Sequence, residues 1–222
     1  FGCDIKNREG RIKIRIGDIL NKKNGSKVIG INDKLQNSID TIGPNSLHSQ
    51  FLRRYPQNDL DRMFSEALSS EAENGRVSMG KTFRCPMGDE EYLFLVMSEL
   101  EAEKAPSTER RYLRTALESF FRNQSKFEIK DKRLYIPVLG KGSAAMRNLD
   151  YFDTVKMIAG EYVYSQCIYP NSANRIEELV IVLQLQDLFR MGCMSFVKMK
   201  KLQSDIRHMS ELCSDCLMVH EA

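Results

Sequence analysis

Two polar segments of this chain have the composition of a binding site for a phosphate-bearing ligand. The first follows an apolar strand pattern and contains Asn32 and Asp33, after which Asn45 or Ser46 opens a helix. Unpaired N–H groups at a helix start, together with the positive end of the helix dipole, favour an anion. The second, 140–145, consists of small residues around one lysine, so the backbone can approach a ligand closely. Either segment by itself is also explained by an ordinary loop into a helix.

A third segment, GRVSMGKT at 75–82, matches the phosphate-binding pattern GxxxxGK[ST]. That motif requires a strand before the loop and a helix that starts at its lysine. Here a helical pattern precedes the loop, and the alternation at 77–83 is typical of one arm of a β-hairpin whose other arm is 92–97. We therefore expect Lys81 to have no role in nucleotide binding.

The composition is that of a soluble globular protein. Of the 222 residues, 42% are hydrophobic and 28% charged, and a net charge of +3 is too small to imply nucleic-acid binding. Six cysteines show no disulfide framework, which favours a reducing cytoplasm. Cys213 and Cys216 form a CxxC without a second pair at ligand spacing, so no metal site is predicted. No apolar run approaches membrane-spanning length, and the start at Phe1 predicts a fragment.

Strands and helices alternate along the chain, which predicts an α/β fold. We expect strands at 11–16, 27–31, 134–139 and 179–185, in addition to the hairpin, and helices that start near Ser46, Asn58, Glu109 and Asn148. The strand at 179–185 is apolar on both faces, which is typical of a central strand covered by helices. Leu202, Ile206 and Met209 recur by four and three, which predicts a short helix packed on the domain.

The order of these elements and loops resembles that of a macro domain, the ADP-ribose-binding fold with three α/β/α layers and a mixed central sheet. The resemblance covers 11–190, leaving 1–10 as a linker and 191–222 as a C-terminal helical tail. It implies that the first aspartate contacts adenine, that the loop after the second strand holds the distal ribose, and that the late glycine loop wraps the diphosphate. The implied ligand-binding residues are Asp18, Ile19, Asn32, Asp33, Asn45, Ser46, Leu47, His48, Leu139, Gly140, Lys141, Gly142, Ser143 and Ala144.

The Asn-Ala-Ala-Asn run and the triple glycine of hydrolytic macro domains are absent, and GIND and GPNSLH stand in their place. These segments and the loop PVLGKGSA are similar to the macro-like domains of membrane-anchored effectors of Thoeris, a bacterial anti-phage defence system. The resemblance implies a sensor of an ADP-ribose-derived signal, such as a histidine-linked ADP-ribose, that a TIR-domain enzyme makes from NAD. It also implies a cytoplasmic domain tethered to the inner membrane by upstream transmembrane segments, without cofactor or nucleic acid. Homo-oligomerisation is left open.

Two functions would use the same pocket. In a sensor, the polar residues Asn45, Ser46 and His48 at the helix start would contact a distal substituent of the ligand without turnover. In an ADP-ribosyl hydrolase, Asn32, Asp33 or Asp40 would position water against the anomeric carbon. The missing glycine run favours the sensor, because the segment in its place would close over a small ligand. A reader of poly-ADP-ribose or RNA is disfavoured, because no arginine-aromatic patch is visible.

Overall fold

The computed structural model describes residues 10–100, 109–140, 150–169, 175–185, 187, 200–209 and 211, and the backbone of 2–6. These residues belong to two compact units. The first consists of Phe1–Gly25, Phe121–Val138 and Leu149–Ala222, and the second of Ser26–Phe120 and Leu139–Asn148. Each unit combines helices with parallel and antiparallel strand pairs, so the α/β class and the mixed pairing are confirmed.

Seven strands and five α-helices are named in the part of the chain that the structure describes. The strands are β1 (Gly2–Lys6), β2 (Arg11–Ile16), β3 (Ser26–Asn32), β4 (Thr82–Met87), β5 (Glu90–Ser98), β6 (Arg133–Pro137) and β7 (Glu178–Leu183). The helices are α1 (Ile39–Ile42), α2 (Leu47–Arg54), α3 (Leu60–Ser70), α4 (Arg110–Arg122) and α5 (Tyr151–Ile168).

In the first unit the strands follow the order β1-β2-β7-β6. Strand β1 is antiparallel to β2, and both β2 and β6 are parallel to β7. Ile12 and Ile14 are each 2% exposed, as the alternation in β2 predicts. Residues 179–183 are all buried, which agrees with the prediction of a central strand. The segment 1–10, expected to be a linker, contains β1.

Two helical segments belong to the same unit. Helix α5 starts at a cap in which the side chain of Asp150 accepts a hydrogen bond from a first-turn backbone N–H, and the predicted cap, Asn148, lies outside the described residues. A further helix at 200–209 buries Leu202 and Ile206. The predicted C-terminal helix is therefore confirmed over this range.

In the second unit, β5 lies between β3 and β4. Strand β3 is parallel to β5, and β4 is antiparallel to it. The predicted hairpin is confirmed, with Gly88 in its turn at φ +60, although its first strand starts at Thr82 and not at residue 77. Helix α2 begins after Ser46, as predicted. Helix α3 begins two residues after Asn58, whose Oδ1 accepts the N–H of Leu60 at 3.0 Å.

The structure also bears on the cysteines and on metal binding. Cys85 is free and buried, and burial raises the pKa of its thiol to about 11. Cys167 is disulfide-bonded, so the expectation of reduced cysteines is wrong for this residue.

Within the described ranges, no group of three or more His, Cys, Asp or Glu side chains could hold a metal ion, and the CxxC at 213–216 lies outside them. No helix in the same ranges is long and apolar enough to cross a membrane.

Candidate functional site

The C-terminal ends of the parallel strands β3 and β5 lie side by side, and this edge of an α/β sheet is where such folds bind ligands. Asn32 is the last residue of β3 and pairs with Ser98, the last residue of β5. Its Oδ1 accepts the backbone N–H groups of Lys34 at 3.1 Å and Gln36 at 3.3 Å. The Asn32 side chain therefore shapes the loop that leaves β3, in the manner of an Asx turn.

Asp33 is fixed from every side. Its Oδ2 accepts a hydrogen bond from Nη1 of Arg76 at 2.6 Å, and its Oδ1 accepts the N–H of Leu100 at 2.9 Å. Its backbone N–H donates to the carbonyl of Ser98 at 2.9 Å, and its carbonyl accepts the N–H of Val77 at 2.8 Å. With 2% of its surface exposed, Asp33 holds the loop in place and does not present a free carboxylate oxygen.

The start of α2 is a preformed turn. Ser46 caps the helix because its Oγ accepts the N–H of Ser49 at 3.0 Å. The Ser49 hydroxyl donates to the carbonyl of Gly43 at 2.5 Å, and Gly43 takes a φ of +80 that favours glycine. Asn45 is exposed and Leu47 is half-buried. Of the residues predicted at this helix start, Asn45 therefore has the most solvent-facing surface.

His48 lies in the core, 4% exposed, with its ring edge-on to Phe94 and Phe64 at centroid distances of 5.4 and 6.4 Å. Its Nε2 is 2.8 Å from Oδ1 of Asn37, whose Nδ2 donates to Asp61 at 2.7 Å. The Asn37 amide oxygen therefore faces the imidazole, and Nε2 is the donor. Burial lowers the pKa of His48 to about 4, so the ring is neutral near pH 7. His48 supports the loop at 33–38 through Asn37.

The remaining predicted site residues are distributed as follows. Asp18 is an exposed residue of the first unit, and its Oδ1 accepts the N–H of Leu20 at 2.9 Å. Ile19, in the same turn, is 3% exposed. Leu139 is buried in the second unit next to Gly30 of β3, and Gly140 has a φ of +72. The predicted residues 141–144 lie outside the described ranges. Within the second unit, the structure brings together the residues at the end of β3 and at the start of α2.

Residues 12–184 match the family model of the macro domain of the Thoeris protein ThsA, which is more than half of the chain. The chain belongs to this family. A comparison with curated protein sequences gives no match. The match to the family model confirms the macro-domain resemblance drawn from the sequence.

Solved structures with the same fold are similar at low sequence identity. A variant of the Oceanobacillus iheyensis macrodomain is 13% identical with a TM-score of 0.58, covering 90% of this chain and 99% of the other. The macrodomain of Thermus aquaticus DarG is 14% identical with a TM-score of 0.51, covering 76% and 97%. The macro domain of ganglioside induced differentiation associated protein 2 is 13% identical with a TM-score of 0.52, covering 84% and 86%. These similarities confirm the three-layer α/β/α fold.

In this member of the Thoeris macro-domain family, the segment at 75–82 does not have the structure of a P-loop. Strand β4, and no helix, begins at Thr82, and Lys81 forms an ion pair with Glu71 at 2.5 Å. Arg76 in this same segment was not predicted to be a site residue. The only local signal was its position just after the Asn-Gly turn at 74–75, which gives no indication of a partner at Asp33.

Proposed function

We propose that this domain is a sensor that binds an ADP-ribose-derived nucleotide and does not turn it over. Membership of the Thoeris macro-domain family supports nucleotide recognition. Solved macrodomains of Oceanobacillus iheyensis with the same fold include one with ADPR and one with ADP. The observation that carries the sensor function over the hydrolase is the engagement of Asp33 by Arg76 and Leu100.

A general base must have its proton-accepting atom within hydrogen-bond reach of the attacking water. Both carboxylate oxygens of Asp33 already accept charged or backbone donors, and the side chain is buried. The Asn32 oxygen accepts two backbone N–H groups of its own loop. Asp40 is exposed on α1. Of the three groups that could position a hydrolytic water, Asp33 and Asn32 already accept hydrogen bonds within the protein, and Asp40 is exposed to solvent.

The proposed ligand contacts are those that the family resemblance implies. Asp18 and Ile19 would recognise adenine, the glycine loop from Gly140 would hold the diphosphate, and Asn45 would meet the distal group. His48 would act indirectly, because its ring reaches the loop only through Asn37.

We also propose the biological setting that the family resemblance implies. The signal is an ADP-ribose derivative, such as a histidine-linked ADP-ribose, made from NAD by a TIR-domain enzyme. The domain is cytoplasmic and conveys binding to a membrane-tethered effector in anti-phage defence. Such a sensor needs different affinities for the ligand in two states, and the loop and helix start around the distal group are the elements placed to supply that difference.

Isothermal titration calorimetry with three ligands tests this function. We expect ADP-ribose to bind, the purified product of a TIR-domain enzyme acting on NAD to bind more tightly, and ATP to give no heat. The ATP arm is the control for non-specific phosphate binding. A chain that binds neither ADP-ribose nor the TIR product would contradict the proposal.

A further inference from the structure

The segment at 75–82, which matches the P-loop pattern in sequence, contains Arg76, whose guanidinium donates hydrogen bonds to three residues. Its Nη1 donates to Asp33 at 2.6 Å and to Glu99 at 2.8 Å, and its Nη2 donates to the carbonyl of Leu100 at 3.2 Å. We infer that Arg76 is a positioning residue of the nucleotide site, which acts by fixing Asp33 at the start of the ligand loop. This inference rests on the proposed function.

The contacts need an arginine. The planar guanidinium presents several N–H donors at fixed angles, and here they serve two carboxylates and one carbonyl. A lysine ammonium is a point charge on a flexible stem and cannot span these acceptors in one geometry. The side chain of Asp33 is 4% exposed, against 34% for Arg76, so the carboxylate depends on this cation more than the cation depends on the carboxylate.

The backbone reinforces the same junction. The residue after Arg76, Val77, donates its N–H to the carbonyl of Asp33 at 2.8 Å. The β3–β5 register shifts between Ile31 and Asn32, directly before Asp33. At this irregular point the ordinary strand ladder ends, and the Arg76 contacts with Asp33 and Leu100 join the chain leaving β3 to the chain leaving β5.

The consequence for binding follows from preorganisation. The loop at 33–38 starts at Asp33, and ligand affinity is lost when a loop must be ordered on binding. Removing Arg76 leaves a buried carboxylate without its cation, which the chain can relieve by moving Asp33 toward solvent. The loop then has to be returned to its binding geometry at the expense of affinity.

The test compares Arg76→Ala and Arg76→Lys with two controls. Lys81→Ala removes an ion pair of the same segment that does not touch Asp33. Cys85→Ala, at a residue 1% exposed on β4, destabilises the core away from the loop. The readouts are the Kd for ADP-ribose by calorimetry and the hydrogen exchange of the Lys34 and Gln36 amides in the ligand-free protein.

We expect Arg76→Ala to weaken ADP-ribose binding roughly tenfold or more and to accelerate exchange at the two loop amides, with smaller changes for Arg76→Lys. Both controls should keep the wild-type Kd, which separates positioning from general loss of stability. If Arg76→Ala does not fold, Arg76→Lys decides. Wild-type affinity and exchange in the folded Arg76 variants would overturn the inference. A wild-type chain without affinity for ADP-ribose would overturn the proposed function, and the exchange measurement alone would then decide whether Arg76 fixes the loop.

Discussion

The buried imidazole of His48 should make the stability of this domain depend on pH in a defined interval. The ring lies against Phe64 and Phe94 and donates to Asn37, and burial disfavours its charged form. We consider lowering the pH from 7 to 5 in the wild-type chain and in His48→Gln. Glutamine retains an N–H donor for Asn37 but does not titrate.

The sign and size follow from the pKa. Burial lowers the pKa of His48 from 6.5 to about 4 in the folded protein, so the unfolded chain binds a proton more readily. The contribution of His48 to the free energy of unfolding is therefore fully present above pH 6.5 and decreases as the pH falls toward 4. The full effect is about 3 kcal/mol, and about 2 kcal/mol of it is already lost at pH 5.

Carboxyl groups whose pKa values are lowered in the folded protein act at lower pH. Glu90 is an example: burial alone would raise its pKa, but hydrogen bonds from Lys27, Tyr92 and Tyr55 hold it at about 2. Its contribution to stability is present above its unfolded value of 4.5 and is lost as the pH falls from there toward 2. The interval between pH 7 and 5 therefore reports on His48 and not on Glu90.

Urea unfolding at pH 7, 6 and 5, with linear extrapolation to water, measures the effect. The wild type should lose about 2 kcal/mol between pH 7 and 5, and His48→Gln should lose much less. The control is His208→Gln, since the side chain of His208 is 70% exposed, and it should retain the wild-type pH dependence. A wild type equally stable at pH 5 and 7, or an unchanged slope in His48→Gln, would refute the assignment of a buried neutral histidine.

Three further predictions concern the ligand. Lys81→Ala should leave nucleotide affinity within a few-fold, because Lys81 pairs with Glu71; magnesium-dependent ATP hydrolysis lost on this substitution would restore the P-loop interpretation. Asp18→Ala should weaken ADP-ribose roughly ten- to a hundredfold in calorimetry, the loss typical of one charge-assisted hydrogen bond; wild-type affinity would show that adenine is recognised elsewhere. Asn45→Ala should weaken the TIR product more than ADP-ribose, and equal losses in parallel titrations would argue against a distal contact at the start of α2.

Much of the fold could be predicted because its signals are local. Alternating isoleucines indicated β2, the continuous apolar run indicated the buried β7, and the serine before a four-residue apolar repeat indicated α2. The hairpin of β4 and β5 was predicted from the alternation at 77–83 and the apolar run at 92–97. Strand β1 was missed because it is short, and its identity as a strand depends on pairing with β2.

The roles of individual site residues were harder to predict, because they depend on distant partners. Arg76 and Asp33 are 43 residues apart in the sequence, and nothing near either residue indicates the ion pair. His48 precedes Phe51 by three positions, which places both on one helix face. A polar residue at a helix start nevertheless suggested a ligand contact, and only its position against Phe64 and Phe94 shows that it is buried.

The most direct test of a binding domain without turnover is to identify the nucleotide that remains on the protein. The purified chain is incubated for hours with a stoichiometric amount of the TIR product and separated from free ligand by gel filtration. Mass spectrometry then identifies the nucleotide that elutes with the protein. We predict the intact ligand, because both carboxylate oxygens of Asp33 already accept hydrogen bonds, from Arg76 and from Leu100. Recovery of cleaved nucleotide, or of none, would contradict the proposed function.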